Sequence, residues 1–187
     1  FHLVADAKNG EAIRLLRKRK NREEKPFAIM APSLEKAREI VKLTKRDERL
    51  LTGFERPIVL AESCGLNDIS EDVAPGNPYL GVMLPYAPVH YLLFYHPAAG
   101  GDFLSGKTVF DSLVMTSGNM SDEPICKDND EALSRLSGIA DYFLVHDRGI
   151  FARCDDSVVR SSGSGAPFIR RSRGFVPVPV FFREELP

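Results

Sequence analysis

The chain has 187 residues, of which 43% are hydrophobic, and its 25 Lys+Arg nearly balance 26 Asp+Glu for a net charge of -1. That is enough chain for one domain with a sizeable core, and the composition excludes disordered and fibrous classes. Near-neutrality argues against bulk nucleic-acid binding, so any polyanion site must come from local clustering of charge. Cys64, Cys126 and Cys154 lie far apart, with no CxxC pair or His-x-x-x-His spacing, so a structural zinc site is not expected. An odd cysteine count without a framework fits a reducing compartment. No signal peptide is evident and no apolar run reaches the ~20 residues needed to span a membrane. The expected location is cytoplasmic.

Helix and strand signals alternate along the chain. Residues 1–7 read as the end of a strand already under way, suggesting a piece of a longer polypeptide. Asn9 is placed to cap a helix through Ala12, Ile13 and Leu16. Pro26 ends a basic stretch, and residues 27–30 read as a buried strand. Ser33 caps a second helix with Leu34, Ala37, Ile40 and Val41 on one face, and Thr44 a third that ends at Gly53. Residues 57–60 form a strand, 62–79 a loop, 80–84 a strand and 89–95 an apolar helix. Residues 113–116 are a buried strand running into the turn Ser117-Gly118-Asn119. Asp128 caps a further helix, with Glu131 completing a capping-box pattern. Residues 142–146, 157–160 and 168–171 read as three late strands. The pattern predicts an α/β fold: a single-domain, twisted mixed β-sheet flanked by helices. The domain is expected over 1–174, with 175–187 as an exit segment or linker marked by Pro177, Pro179 and Pro187.

Three constellations carry chemistry. Seven of twelve positions between 14 and 25 are basic: Arg14, Arg17, Lys18, Arg19, Lys20, Arg22 and Lys25. A helix cannot put all of them on one face, so Lys20, Arg22 and Lys25 serve the loop beyond it, where they suit phosphate; the alternative is a solvated helix face. Thr116-Ser117-Gly118-Asn119 follows an apolar strand, where α/β sheets bind ligands, and Gly118 permits close backbone approach; taken alone it also reads as an ordinary turn. No P-loop or Rossmann fingerprint is present. Asp155 and Asp156 open a strand that Ser157 begins, and suit a water-mediated Mg²⁺ or a solvated turn. Arg170 and Arg171 close another strand, with Arg173 read as surface charge. His90 reads as a packed, hydrogen-bonded residue, and His146, at a strand end before Asp147-Arg148, suits either binding or a turn. The cysteines read as small core residues.

Taken in order, residues 15–22 with Lys20-Asn21-Arg22, then Lys25-Pro26-Phe27, residues 56–60, Met83-Leu84-Pro85-Tyr86 within 80–90, Thr116-Ser117-Gly118-Asn119, Asp155-Asp156-Ser157-Val158-Val159 and Ile169-Arg170-Arg171 resemble one family. It is the Sua5/YciO/YrdC family, in the form carried by HypF carbamoyltransferases of hydrogenase maturation. The likeness covers nearly the whole chain; each motif alone is weak, and the ordered set is specific.

The resemblance implies an open basic cavity that binds ATP and forms an acyl adenylate. In the HypF form the acid is carbamate, derived from carbamoyl phosphate. The carbamoyl group then passes to HypE, for the cyanide ligand of [NiFe]-hydrogenase. Lys20 and Arg22 match the family's phosphate-binding K-x-R, Ser117 and Asn119 its S-x-N, Ser157 its S-[TV]-V serine, and Arg170 or Arg171 its late arginine. Lys25 is a further phosphate contact. Mg²⁺ would accompany ATP, and no metal ligands are assigned. The family's domain begins with a strand and a Thr- or Gly-containing loop that contacts the acid; only Phe1-His2-Leu3 represents that region here, which implies that this piece binds nucleotide but holds its acid poorly. Two other readings belong to the same superfamily: a threonylcarbamoyl-adenylate synthase of transfer RNA modification, and a double-stranded RNA-binding module using residues 14–25.

Overall fold

The computed structural model describes residues 1–65, 68–121, 123–160 and 168–180. The first three helices each begin where a side chain satisfies a free N–H group of the first turn. In α1, Gly10–Lys20, the Asn9 side chain accepts from the Ala12 N–H at 3.1 Å. Ile13 and Leu16 are buried on its inner face. It ends at Asn21, whose left-handed backbone (φ 53°) turns the chain sharply into Arg22. Ser33 caps α2, Leu34–Ile40, and Thr44 with Asp47 forms a reciprocal capping box on α3, Lys45–Thr52.

The strands are β1, His2–Asp6; β2, Ala28–Met30; β3, Ile58–Glu62; β4, Tyr79–Met83; β5, Leu113–Ser117; β6, Val158–Val159; and β7, Phe168–Arg170. They form one mixed sheet in the order β1-β5-β2-β4-β3-β6-β7. The β2·β4 and β3·β6 pairs are parallel and the others antiparallel. The mixed sheet flanked by helices agrees with the expected fold.

Side chains alternate between the two faces of each strand. On one face Ile29, Val59, Val82 and Val114 pack beneath helices with Ile13, Leu16, Ala37, Leu51 and Leu136, the last from α5, Asn129–Leu136. On the other, Met30, Ile58, Met83, Leu113 and Met115 meet Phe94 of α4, Pro88–Tyr95. This short helix covers part of the second face, and a large cavity opens over the rest, above Ala28, Gly81, Leu60 and Met115. Gly81 keeps that floor low: a Cβ there would stand 2.9 Å from Ile58 Cγ2.

Three expectations are corrected. Residues 142–146 are not a strand, and Tyr142 is 94% exposed. The segment has β-favouring side chains but no ladder partner among the described residues, and propensity does not supply pairing. Asp128 stands at the N-cap of α5, yet its side chain makes no capping bond. Glu131 accepts instead from the Lys127 N–H at 2.9 Å and from Arg135 at 2.6 Å, so no reciprocal box forms. The loop 62–79 contains a 3₁₀ turn, Glu71–Val73, whose Val73 is buried. Residues 181–187 of the expected exit segment lie outside the described residues.

Candidate active site

The cavity has a volume of about 1450 Å³. Its apolar floor is the open sheet face, and cationic side chains reach it from two directions. Arg22 enters from the turn after α1. Its Nε donates to Lys25 O at 3.0 Å, Nη2 to Pro26 O at 2.6 Å and Nη1 to Thr116 Oγ1 at 3.1 Å, while the guanidinium lies 4.8 Å from the Phe27 ring centroid. Burial, then the charges of Arg17 and Arg170, lower its pKa to about 10, which leaves it cationic at neutral pH. Lys25 also lines the cavity and is exposed. Arg170 arrives from the far side of the sheet. Its pairing with Val158, itself paired with Ile58, puts it on the cavity face, 3.3 Å from Asp155.

The structure distinguishes the two late arginines. Arg170 lines the cavity. Arg171, just past the end of β7, donates to Phe175 O at 2.8 Å and to Val178 O.

Lys20 does not line the cavity. It is 1% exposed, and its ammonium donates to Ser117 O at 2.7 Å, Asn119 O at 2.5 Å and Asn119 Oδ1 at 2.8 Å. All three ammonium hydrogens have an acceptor, so Lys20 here buttresses the Ser117-Gly118-Asn119 turn from beneath. Burial, then the charges of Arg22 and Lys25, lower its pKa to about 8. Within the turn Ser117 Oγ donates to Asn119 Oδ1 at 2.6 Å, and Asn119 Nδ2 donates to Glu123 O at 2.5 Å. Ser117 lines the cavity. Gly118 serves a close approach, as its residue type suggested, but the partner is Phe1: a Cβ at Gly118 would lie 2.9 Å from Phe1 O, which accepts the Gly118 N–H.

Ser157 is fully buried. Its hydroxyl accepts from the Ser172 N–H at 2.7 Å and donates to Arg173 O at 2.8 Å, tying β6 to the segment after β7. Three arginines of the basic stretch are spent within the protein. Arg14 pairs with Asp72 at 2.7 Å, Arg17 donates to Asp72 O, Val73 O, Arg22 O and Glu23 O, and Arg19 pairs with Asp141 at 2.8 Å. These arginines do not form a free face for a polyanion.

A second polar group on the cavity wall joins residues that sequence spacing could not connect. Asp156 accepts from Arg173 Nε at 2.7 Å, from the Tyr86 hydroxyl at 3.1 Å and from His2 Nε2 at 3.1 Å. Burial alone would push its carboxyl up; the His2 hydrogen bond and the Arg173 charge reverse this and hold it well below the usual carboxylate range. Arg173 is no surface charge: its guanidinium lies 3.5 Å from the Tyr86 ring centroid and donates to Glu55 O and Arg56 O. Burial, then the Asp156 charge, raises the Tyr86 pKa and keeps the phenol neutral. His90 is packed and hydrogen-bonded as expected, 4% exposed, with burial lowering its pKa to about 4. His2, Tyr86 and His90 all line the cavity, as does His146, which stacks at 6.3 Å on Phe1.

The Asp155–Asp156 pair does not fit a protein-held Mg²⁺. Both oxygens of Asp156 are engaged by donors, and Asp155 pairs with Arg170. Among the described residues no group of three or more His, Cys, Asp or Glu is placed to hold a metal ion, and no helix is long and apolar enough to cross a membrane.

Comparison with known proteins gives three kinds of likeness. The Sua5_yciO_yrdC family model, described as telomere recombination, matches residues 1–172. Carbamoyltransferase HypF2 of Cupriavidus necator is 50% identical over 183 residues, 95% of this chain and 23% of that protein. Thus the chain spans about a quarter of the length of the curated relatives it matches. The crystal structure of full-length HypF in its phosphate- and nucleotide-bound form superposes with a TM-score of 0.86 at 43% identity, over 99% of this chain and 27% of that one. P. abyssi Sua5 complexed with L-threonine shares the fold, at a TM-score of 0.71 and 15% identity over 91% of this chain and 47% of that one.

Proposed function

The chain belongs to the Sua5/YciO/YrdC family, and we propose that it binds ATP in the open cavity and activates carbamate as carbamoyl adenylate, within a carbamoyltransferase of the HypF kind. The observation that carries this reading is the convergence of Arg22, Lys25 and Arg170 with Ser117 over one apolar sheet face. Three cations, of which Arg170 is paired with Asp155, suit a triphosphate, and the floor of Ala28, Gly81 and Leu60 suits a nucleoside. The bound nucleotide and phosphate of the HypF structure, at 43% identity, support the same ligand class here.

The chemistry is positioning with charge stabilisation. A carbamate oxygen attacks the α-phosphorus, forming one P–O bond as the bond to the β-phosphate oxygen breaks and pyrophosphate leaves with the electron pair. Carbamate is already an anion, so no proton must be removed and no protein nucleophile is required. Arg22 and Arg170 hold the phosphates and offset the charge that gathers on pyrophosphate. Lys20 acts one step back, by fixing the turn that presents Ser117. Mg²⁺ would arrive on the triphosphate, and no step is assigned to it. Passage of the carbamoyl group to HypE, for cyanide synthesis, belongs to the whole protein and forms part of the proposal. The internal pairing of Arg14, Arg17 and Arg19 weighs against the double-stranded RNA reading.

The test is pyrophosphate–ATP exchange in the full-length protein. Exchange should depend on carbamoyl phosphate and not on threonine with bicarbonate. Exchange driven equally well by threonine would move the protein to the transfer RNA branch.

A further inference from the structure

We infer that Arg17, which lies outside the cavity lining, is the positioning residue for its phosphate-binding edge: the guanidinium gathers the carbonyls of the loop 22–25 and so aims Arg22 and Lys25 at the nucleotide. The inference rests on the ATP-binding reading above and assigns how that edge is held.

Arg17 is 9% exposed on α1. Its Nη1 donates to Arg22 O at 3.0 Å, Glu23 O at 2.9 Å and Lys25 O at 3.3 Å. Its other nitrogens reach the 3₁₀ turn, Nε donating to Asp72 O at 2.5 Å and Nη2 to Val73 O at 3.1 Å. One planar group thus clips the loop to the body of the protein. The Val73 carbonyl also accepts the Phe27 N–H at 2.9 Å, so the same anchor fixes the entry to β2. The backbone closes the clip, because the Arg22 N–H donates to Arg17 O at 3.0 Å.

The placement of both cavity cations follows from this. Lys25 O accepts from Arg17 Nη1 and from Arg22 Nε, while Lys25 itself lines the cavity. With its carbonyl drawn inward by two guanidiniums, the orientation of that residue is set. Arg22 is fixed in turn. Phe27 takes both guanidiniums on its ring, Arg17 at 4.6 Å and Arg22 at 4.8 Å from the centroid, so the two arginines share one platform. Lysine cannot replace Arg17. An ammonium is a single point with three hydrogens, and it does not reach the loop carbonyls and the 3₁₀-turn carbonyls together. Arg17→Lys therefore keeps the charge and removes the fork.

Calorimetric titration of the full-length protein with ATP and with adenosine provides the test. Arg17→Lys should weaken ATP binding by about tenfold or more and leave adenosine within about twofold. Because the charge is conserved, such a loss reports the direction of Arg22 and Lys25. A residue that only held the fold together would lower the melting temperature and weaken both ligands alike. Unchanged ATP affinity in the folded variant, or a parallel loss of adenosine, would overturn the inference. If circular dichroism shows that Arg17→Lys does not fold, Ser70→Ala is measured in its place. It removes the hydroxyl that accepts the Asp72 N–H at 3.2 Å, and so loosens the turn that anchors Arg17. It should weaken ATP by about threefold and spare adenosine, and no preferential loss of ATP there would equally sink the idea. A parent protein that binds ATP no more tightly than adenosine would instead overturn the reading of Arg22 and Lys25 as phosphate contacts. One that binds neither would overturn the nucleotide reading itself.

Discussion

His2 and Asp156 meet at 3.1 Å, although their segments lead into the first and sixth positions across a seven-stranded sheet. Five strand spacings of about 4.8 Å would separate them by roughly 24 Å in a flat sheet. The sheet must therefore coil until its two sides face each other, with Tyr86 filling the gap and hydrogen-bonded to Asp156. This closure makes a cavity out of a sheet face, and it explains why a buried ionic group stands at the wall.

Removing one member of that group should expose its cost. Asp156→Ala leaves Arg173 buried beside Tyr86 without its carboxylate, and should destabilise the fold by about 3–5 kcal/mol. The pH dependence has a definite sign. The folded-state pKa of Asp156 is depressed, so its contribution is complete above the unfolded pKa near ~4 and is lost as pH falls below it. Chemical denaturation at pH 7 and below pH 4 should show the parent protein losing part of its advantage over Asp156→Ala in acid.

Arg22 is proposed as a direct phosphate contact, and Arg14 is spent on Asp72. Arg22→Ala should weaken ATP binding by about 1.5–3 kcal/mol, roughly ten- to hundredfold, while Arg14→Ala leaves it unchanged. Calorimetric titration decides, and equal affinity of Arg22→Ala and the parent would remove Arg22 from the site.

Arg170 and Arg171 can be separated by the same titration. Arg170→Ala should lower ATP affinity, whereas Arg171→Ala should change the melting temperature more than the affinity, because its guanidinium holds the backbone at Phe175 and Val178. The opposite pattern would show that the strand presents its other side to the nucleotide.

Lys20 links site and stability. Its folded pKa of about 8 lies below the unfolded value of about 10.4, so between these values the unfolded chain holds the extra proton. This group's contribution to stability therefore rises with pH from about 8 to about 10. Lys20→Met should remove that rise and loosen the turn, leaving the Ser117 and Asn119 oxygens without their donor at a cost of about 1–3 kcal/mol. Denaturant midpoints across pH 7–10 for both proteins check it.

The local punctuation of the fold was legible in the sequence, because capping is short-range chemistry. Asn9, Ser33 and Thr44 each satisfy the N–H group three residues on, whatever surrounds them. The apolar strands were legible for the same reason, except residues 142–146, where side-chain character was right and pairing was lacking. At the site, sequence position brought Arg22, Lys25, Ser117 and one of two adjacent arginines into consideration. It could not separate Lys20, sealed beneath the turn, from Arg22, which reaches the cavity.

What the sequence by itself determined is therefore the set of elements, their ends and the residue types able to hold phosphate, all fixed by contacts within about four positions along the chain. What only the tertiary structure decided is which of those groups face one another. The end of β7 leaves Arg170 at the cavity, while Arg171 just beyond it is held by the backbone at Phe175 and Val178. Coiling of the sheet brings His2, Tyr86 and Asp156 together across 84 and 154 positions of sequence. No local pattern encodes such a meeting, because it depends on how strand twist accumulates over the whole sheet.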